Sequence, residues 1–168
     1  MISLAYKQQI QNYHSDKQWG GAVTGKVFDI ECVASDNDCS SILDFGCGYG
    51  AFKQKCNPNK FTVSEYDPGI QGKDTLPPEV FDMIVCVDVM EHVEPQHIDQ
   101  TLDWIREHTS KVSYFGICCI PSMSEFNDGT NLHKTVRSPD YWLGKLASRY
   151  IKYSYSGNNN HITIRAKV

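Results

Sequence analysis

No stretch of this chain approaches the roughly 18 to 20 consecutive apolar residues of a membrane-spanning helix, so a membrane architecture is not expected. The N-terminus lacks a basic segment followed by an apolar core and a small-residue cleavage site, and a cytoplasmic location is the expectation. The seven cysteines include no Cys-x-x-Cys pair and no zinc-ligand spacing, which argues against a zinc-finger or disulfide framework. Several lie inside apolar runs and read as reduced and mostly structural. Repeats and low-complexity tracts are absent too. What is there is a length of 168 residues, enough for one domain with its own core, residues 1–168.

The net charge of −4 hides an asymmetry. Residues 1–129 hold nine Lys and Arg against nineteen Asp and Glu, whereas residues 130–168 hold seven against Asp140 alone. A basic C-terminal quarter can attract an anionic partner such as nucleic acid or a phosphorylated metabolite, although scattered Lys and Arg also make an ordinary solvated face.

Helical patterns alternate with short apolar runs, the signature of an α/β fold with a sheet covered on both faces. Helices are expected over Leu4–His14 and Val23–Val33, together forming an N-terminal helical cap, residues 1–38, on a core of residues 39–168. Strands are expected at Ser41–Phe45, Phe61–Tyr66, Met83–Val87 and Val112–Ile120. A short helix should follow from Ala51 to Cys56. Between Asp67 and Phe81 three prolines and two glycines leave little room for a further strand and helix, so that unit is expected to be trimmed. Pro95 opens a helix that places Ile98, Leu102 and Ile105 on one face, and Ser138-Pro139 opens another that turns Trp142, Leu143, Leu146 and Tyr150 inward. Ile151–Tyr155 and His161–Val168, flanking Gly157-Asn158-Asn159-Asn160, read as a closing antiparallel hairpin.

The informative stretch is Ile42-Leu43-Asp44-Phe45-Gly46-Cys47-Gly48-Tyr49-Gly50: an apolar strand ending in an acid, then glycine at every second position. A ligand lying across the end of a parallel strand must approach the backbone closely, and the missing Cβ allows it. An ordinary strand-to-helix turn would also accept these glycines. Asp67, 23 residues beyond Asp44 at the end of the next strand, can accept hydrogen bonds from both hydroxyls of a ribose. Asp before Pro can equally be a turn residue. The third spacing of Gly-x-Gly-x-x-Gly is missing, which argues against a nicotinamide-dependent dehydrogenase.

These residues resemble the first and second motifs of class I S-adenosylmethionine-dependent methyltransferases. Phe81-Asp82-Met83-Ile84-Val85-Cys86-Val87-Asp88-Val89-Met90-Glu91-His92-Val93 resembles their fourth, in the family's order. The string Asp-Val-Met-Glu-His-Val is similar to the branch containing ubiquinone-biosynthesis O-methyltransferases and small-RNA 2′-O-methyltransferases, and Tyr66-Asp67-Pro68 is similar to short phage and bacterial members. The resemblance covers residues 40–120 well and the flanks loosely. It implies a Rossmann-like sheet, mostly parallel with the antiparallel hairpin at its C-terminal end, that binds S-adenosylmethionine.

By that resemblance Gly46, Cys47, Gly48 and Gly50 border the cofactor's methionine and ribose, Asp44 lies near the methionine ammonium and Asp67 holds the ribose. Asp88 and Val89 lie under the methionine end. Trp19 and Gly20, with His14 nearby, resemble the N-terminal element that closes over the cofactor, and Asp74 stands in for an adenine-binding acid. A non-catalytic module that keeps the cofactor fold is the rival reading.

A sulfonium methyl is already activated, so the protein must hold the nucleophile in line and, for a hydroxyl, remove its proton. His92 and His133 are the candidate bases at the strand-end edge; each could instead be a local packing or loop residue. Asp88-x-x-Glu91-His92 with His133 is similar to the Glu-x-x-Glu-His set of the small-RNA and ubiquinone enzymes, which implies a magnesium ion on Asp88, Glu91, His92 and His133. After Val87 there is no Asn-Pro-Pro-Tyr-like string and no Pro-Cys pair. O-methylation of a small molecule or sugar is therefore the first expectation, and an RNA or DNA acceptor reached through the basic C-terminal region the second. With little material for an acceptor pocket beyond Pro121–Arg137, a homodimer or partner subunit could complete it.

Overall fold

The computed structural model describes residues 1–16 and 20–168. The elements in chain order are α1 (Leu4–Asp16), a 3-10 turn (Ala22–Lys26) running into α2 (Val27–Asp36), β1 (Ser41–Phe45), α3 (Ala51–Lys55), β2 (Thr62–Tyr66), β3 (Phe81–Val87), α4 (Ile98–Glu107), β4 (Thr109–Cys118), α5 (Pro139–Ala147), β5 (Lys152–Gly157) and β6 (His161–Lys167). They form a six-stranded sheet of order β2-β1-β3-β4-β6-β5. The first four strands are parallel, whereas β6 runs antiparallel to both β4 and β5. The closing hairpin is therefore present, and residues 67–80 join β2 to β3 without helix or strand.

Period-2 alternation in the strands builds a core on each face of the sheet. Leu43, Ile84, Cys86, Phe115 and Ile117 face one side, where Ile98, Leu102 and Ile105 of α4 and Trp142 and Leu146 of α5 cover them. Ile42, Met83, Val85, Val112 and Tyr114 face the other, under Ile30, Val33 and Ala34 of α2 and Phe52 of α3. Because α2 carries this apolar stripe, it is a layer of the sheet fold and not part of a cap. Among the described elements α1 is the cap: its Tyr6 and Ile10 pack on Phe126 and Leu132 of the connection between β4 and α5.

Local departures from the sequence pattern have local causes. Pro95 opens a 3-10 turn, Pro95–His97, and the α-helix proper starts at Ile98. β4 begins at Thr109 because Thr109 pairs with Phe81 across a register irregularity. Ser138 occupies the N-cap of α5 without a side-chain capping bond. Tyr150 lies beyond α5, buried, with its hydroxyl donating to Ser113 at 2.8 Å. None of the seven cysteines is paired; five are buried. No described helix is long and apolar enough to cross a membrane.

Candidate active site

The glycine-rich bend follows β1 and is pinned to the end of β2, since the amides of Gly46 and Cys47 both donate to the Tyr66 carbonyl, at 2.7 and 3.0 Å. Gly46 takes φ +81°, and a Cβ there would lie inside the Val89 side chain. A side chain at this position is excluded both by backbone conformation and by space. Gly20 sits over the same bend: a Cβ on it would come within 2.9 Å of Gly48 Cα. The two segments thereby close one wall of a cavity of about 270 Å³ at the C-terminal edge of the parallel strands.

Asp67 is buried at the floor of this cavity and accepts one backbone N–H on each oxygen, Gly69 on Oδ1 and Gly48 on Oδ2, both at 2.8 Å. A carboxylate has about four acceptor positions, so two stay available to a vicinal diol. His14 Nε2 stands 3.9 Å from Asp67 Oδ1. Asp44 is 4% exposed and its Oδ2 has no hydrogen-bond partner among the described residues. Burial, together with the nearby Glu65 and Asp67 carboxylates, pushes Asp44 up to about 7. A buried, unsatisfied carboxyl oxygen opening on a cavity is what a ligand ammonium would satisfy.

Asp88, at the end of β3, holds φ +54°, which a non-glycine residue adopts at a cost of about 1 kcal/mol or more. Its Oδ1 accepts a hydrogen bond from His161 Nε2 at 3.0 Å. Glu91 is completely buried; Oε1 accepts the Cys118 N–H at 2.9 Å and Oε2 has no partner among the described residues. Burial, with Asp88 beside it, pushes the Glu91 carboxyl up to about 8. His92 and His133 meet edge to face with ring centroids 4.7 Å apart. His92 Nδ1 lies 3.0 Å from the Leu132 carbonyl and His133 Nδ1 lies 2.7 Å from the Ile120 carbonyl. A carbonyl only accepts, so each Nδ1 carries the proton and each Nε2 the lone pair. Burial, then His133, pulls His92 down to about 4.

The cavity thus gathers His14, Gly20, Asp44, Gly46, Cys47, Gly48, Asp67, Asp88, Val89, Glu91, His92 and His133 into one lining. Two described residues of the sequence reading lie elsewhere. Gly50, at the start of α3, is outside the lining, and its Cβ position is filled by the Glu65 carboxylate of β2. Asp74 is also outside it and pairs with Lys7 of α1 at 2.9 Å, because the trimmed connection turns it toward that helix. Trp19 falls outside the described residues. The four-ligand magnesium set is not assembled either: Asp88 is turned to His161, and the described cluster whose ligand atoms lie within 4.8 Å of one another is Glu91, Cys118 and His133. Cys118, Tyr6 and Ile10 line the cavity without having been singled out. Cys118 sits at the end of an apolar strand and reads from sequence as core.

At the glycine bend the cavity offers the Asp44 and Asp67 carboxylates, and elsewhere in its lining the imidazoles of His92 and His133. The profile of the methyltransferase-domain family matches residues 27–162. No curated protein matches the sequence. Among solved structures, the chain is similar to DhpI in complex with SAH, with TM-score 0.66, 12% identity, and coverage of 98% of this chain and 97% of that one. It is also similar to the N-methyltransferase NodS from Bradyrhizobium japonicum WM9 in complex with S-adenosyl-L-homocysteine, with TM-score 0.63, 13% identity, and coverage of 96% and 97%. An O-methyltransferase family protein from Burkholderia thailandensis gives TM-score 0.63 at 7% identity, over 86% of this chain and 55% of that one. With the family profile covering most of the chain, from α2 through β5, the chain belongs to the methyltransferase-domain family and is a class I S-adenosylmethionine-dependent methyltransferase.

Proposed function

We propose that this enzyme methylates a hydroxyl of a small molecule or sugar. The observation that carries the reading is the imidazole pair at the acceptor end: His92 and His133 each have Nδ1–H fixed by a backbone carbonyl, so each Nε2 is a proton acceptor. Deprotonating a hydroxyl as the methyl moves requires such a group within hydrogen-bond reach. Asp44 and Asp67 hold the cofactor by its ammonium and its ribose, and Val89 shapes the floor beneath the methionine. The chain's contribution is then to align the hydroxyl with the methyl carbon and to take its proton.

The small size of the cavity supports a small acceptor. So does the spatial fate of the basic C-terminal quarter. Lys145 and Arg149 pair with Asp99 and Asp103, and Arg165 pairs with Asp29, so three of the seven basic side chains of that quarter are engaged within the fold and not offered freely to a polyanion. The test is methyl transfer from S-adenosylmethionine to a panel of sugars, polyols and phenols, with amines and ribo-oligonucleotides in parallel. Transfer to hydroxyls that survives moderate salt is expected. Transfer only to amines, or to RNA with the steep salt dependence of phosphate contacts, would overturn the reading.

A further inference from the structure

Four carboxylates line the cavity, Asp44, Asp67, Asp88 and Glu91, and among the described residues no Lys or Arg does. Asp44 and Asp67 serve the cofactor and Asp88 bonds His161. Glu91 is left: fully buried, with Oε1 held by the Cys118 amide and Oε2 without a partner among the described residues. Its neighbours at this point are a thiol and an imidazole. The geometry points to a divalent, thiophilic cation of the zinc class bound by Glu91, Cys118 and His133, with its fourth position open to the acceptor hydroxyl.

Three observations on different elements converge here. The candidate ligand atoms of Glu91, Cys118 and His133 lie within 4.8 Å of one another. Tetrahedral coordination at about 2.0–2.3 Å needs separations of roughly 3.5 Å, so the ligands close by about 1 Å on binding. Cys118 has the freedom to do so: it is half-buried, and its thiol makes one long contact, 3.7 Å, to the Ile120 carbonyl. That contact ends when the thiol is deprotonated. The same carbonyl holds His133 by Nδ1 at 2.7 Å, which leaves Nε2 to ligate and supplies the outer contact that orients a metal-bound imidazole. One carboxylate, one thiolate and one neutral imidazole suit a borderline-soft ion better than magnesium, which prefers an all-oxygen set. Three protein ligands with one open position is also the pattern of catalytic zinc, not of a structural site. The acceptor hydroxyl at the open position rests on the hydroxyl reading; the cation site itself does not.

The test uses the full chain, stripped by chelator and titrated with cobalt(II) alone. One equivalent is expected, with the near-ultraviolet thiolate-to-cobalt charge-transfer band and the strong visible bands of a four-coordinate ion, and zinc should displace it. Cys118→Ser should abolish the thiolate band, and Glu91→Gln should weaken binding by about tenfold or more. Cys119→Ser, altering the buried neighbour whose thiol bonds the Ile117 carbonyl, should leave the band in place. Circular dichroism and S-adenosylmethionine binding, run on every variant, report folding independently. A folded, cofactor-binding protein that shows no cobalt band, or a band that persists in Cys118→Ser, overturns the cation site. An intact band in an enzyme that methylates no hydroxyl overturns the acceptor reading alone.

Discussion

Replacing Asp44 with Asn should make the empty enzyme more stable and its cofactor binding weaker. Asp44 is buried, its carboxyl is raised from 3.8 to about 7 by that burial and by Glu65 and Asp67, and its Oδ2 lacks a partner among the described residues. The folded state therefore holds this proton more tightly than the unfolded chain does. Below about pH 3.8 Asp44 carries no electrostatic penalty; from there the penalty grows with pH and is complete above about 7. At about 1.4 kcal/mol per pH unit the interval amounts to about 4 kcal/mol at pH 8 and about 1–2 kcal/mol at pH 5. For a domain of this size that is a melting-temperature gain of about 10 °C for Asp44→Asn at pH 8, shrinking as the pH is lowered. The cofactor ammonium favours the charged carboxylate, so S-adenosylmethionine should bind wild type less tightly below pH 7 and release a proton on binding. Losing that charge-assisted contact should cost the variant about 1.5–3 kcal/mol, or roughly 10- to 150-fold in Kd. Thermal melts across pH 4–8 and calorimetry in buffers of different ionisation enthalpy measure both. An Asn variant with an unchanged melting curve at pH 8 and wild-type affinity would refute the assignment of Asp44 as the ammonium's partner.

Other sites give sharper local tests. Gly46→Ala should destabilise by about 2 kcal/mol or more through positive φ and collision with Val89, and Val89→Ala should restore part of that loss in denaturant titrations. Asp67→Asn should lower cofactor affinity at least about tenfold, read by calorimetry, because one oxygen that accepts from Gly48 or Gly69 and from the ribose becomes a donor. Phe126→Ala should loosen α1, since Tyr6 and Tyr13 both pack edge-on against Phe126. Hydrogen exchange should then rise in α1 while the α4 and α5 core stays protected. Trp142→Ala, by contrast, empties a fully buried site and should cost about 3–5 kcal/mol of global stability.

The sequence by itself determined the elements whose signals are local. Alternating apolar strands, the Asp44-to-Gly50 bend and the proline-rich stretch after Asp67 dictated a trimmed α/β sheet, because strand periodicity, the need for a missing Cβ and the ban on proline inside regular structure all act over a few residues. Asp44 and Asp67 were legible as a pair for the same reason. Tertiary structure alone decided what depends on residues far apart in the chain meeting in space. It joined α2 to the sheet, turned Asp88 to His161 across 73 residues, and set Cys118, which reads as core, beside Glu91 and His133. It also paired three of the seven basic side chains of the C-terminal quarter with acids from earlier in the chain, so that part of a charge asymmetry plain in the sequence is offset on the folded surface. Ion pairs and ligand clusters form by proximity and direction, and neither is encoded in spacing along the chain.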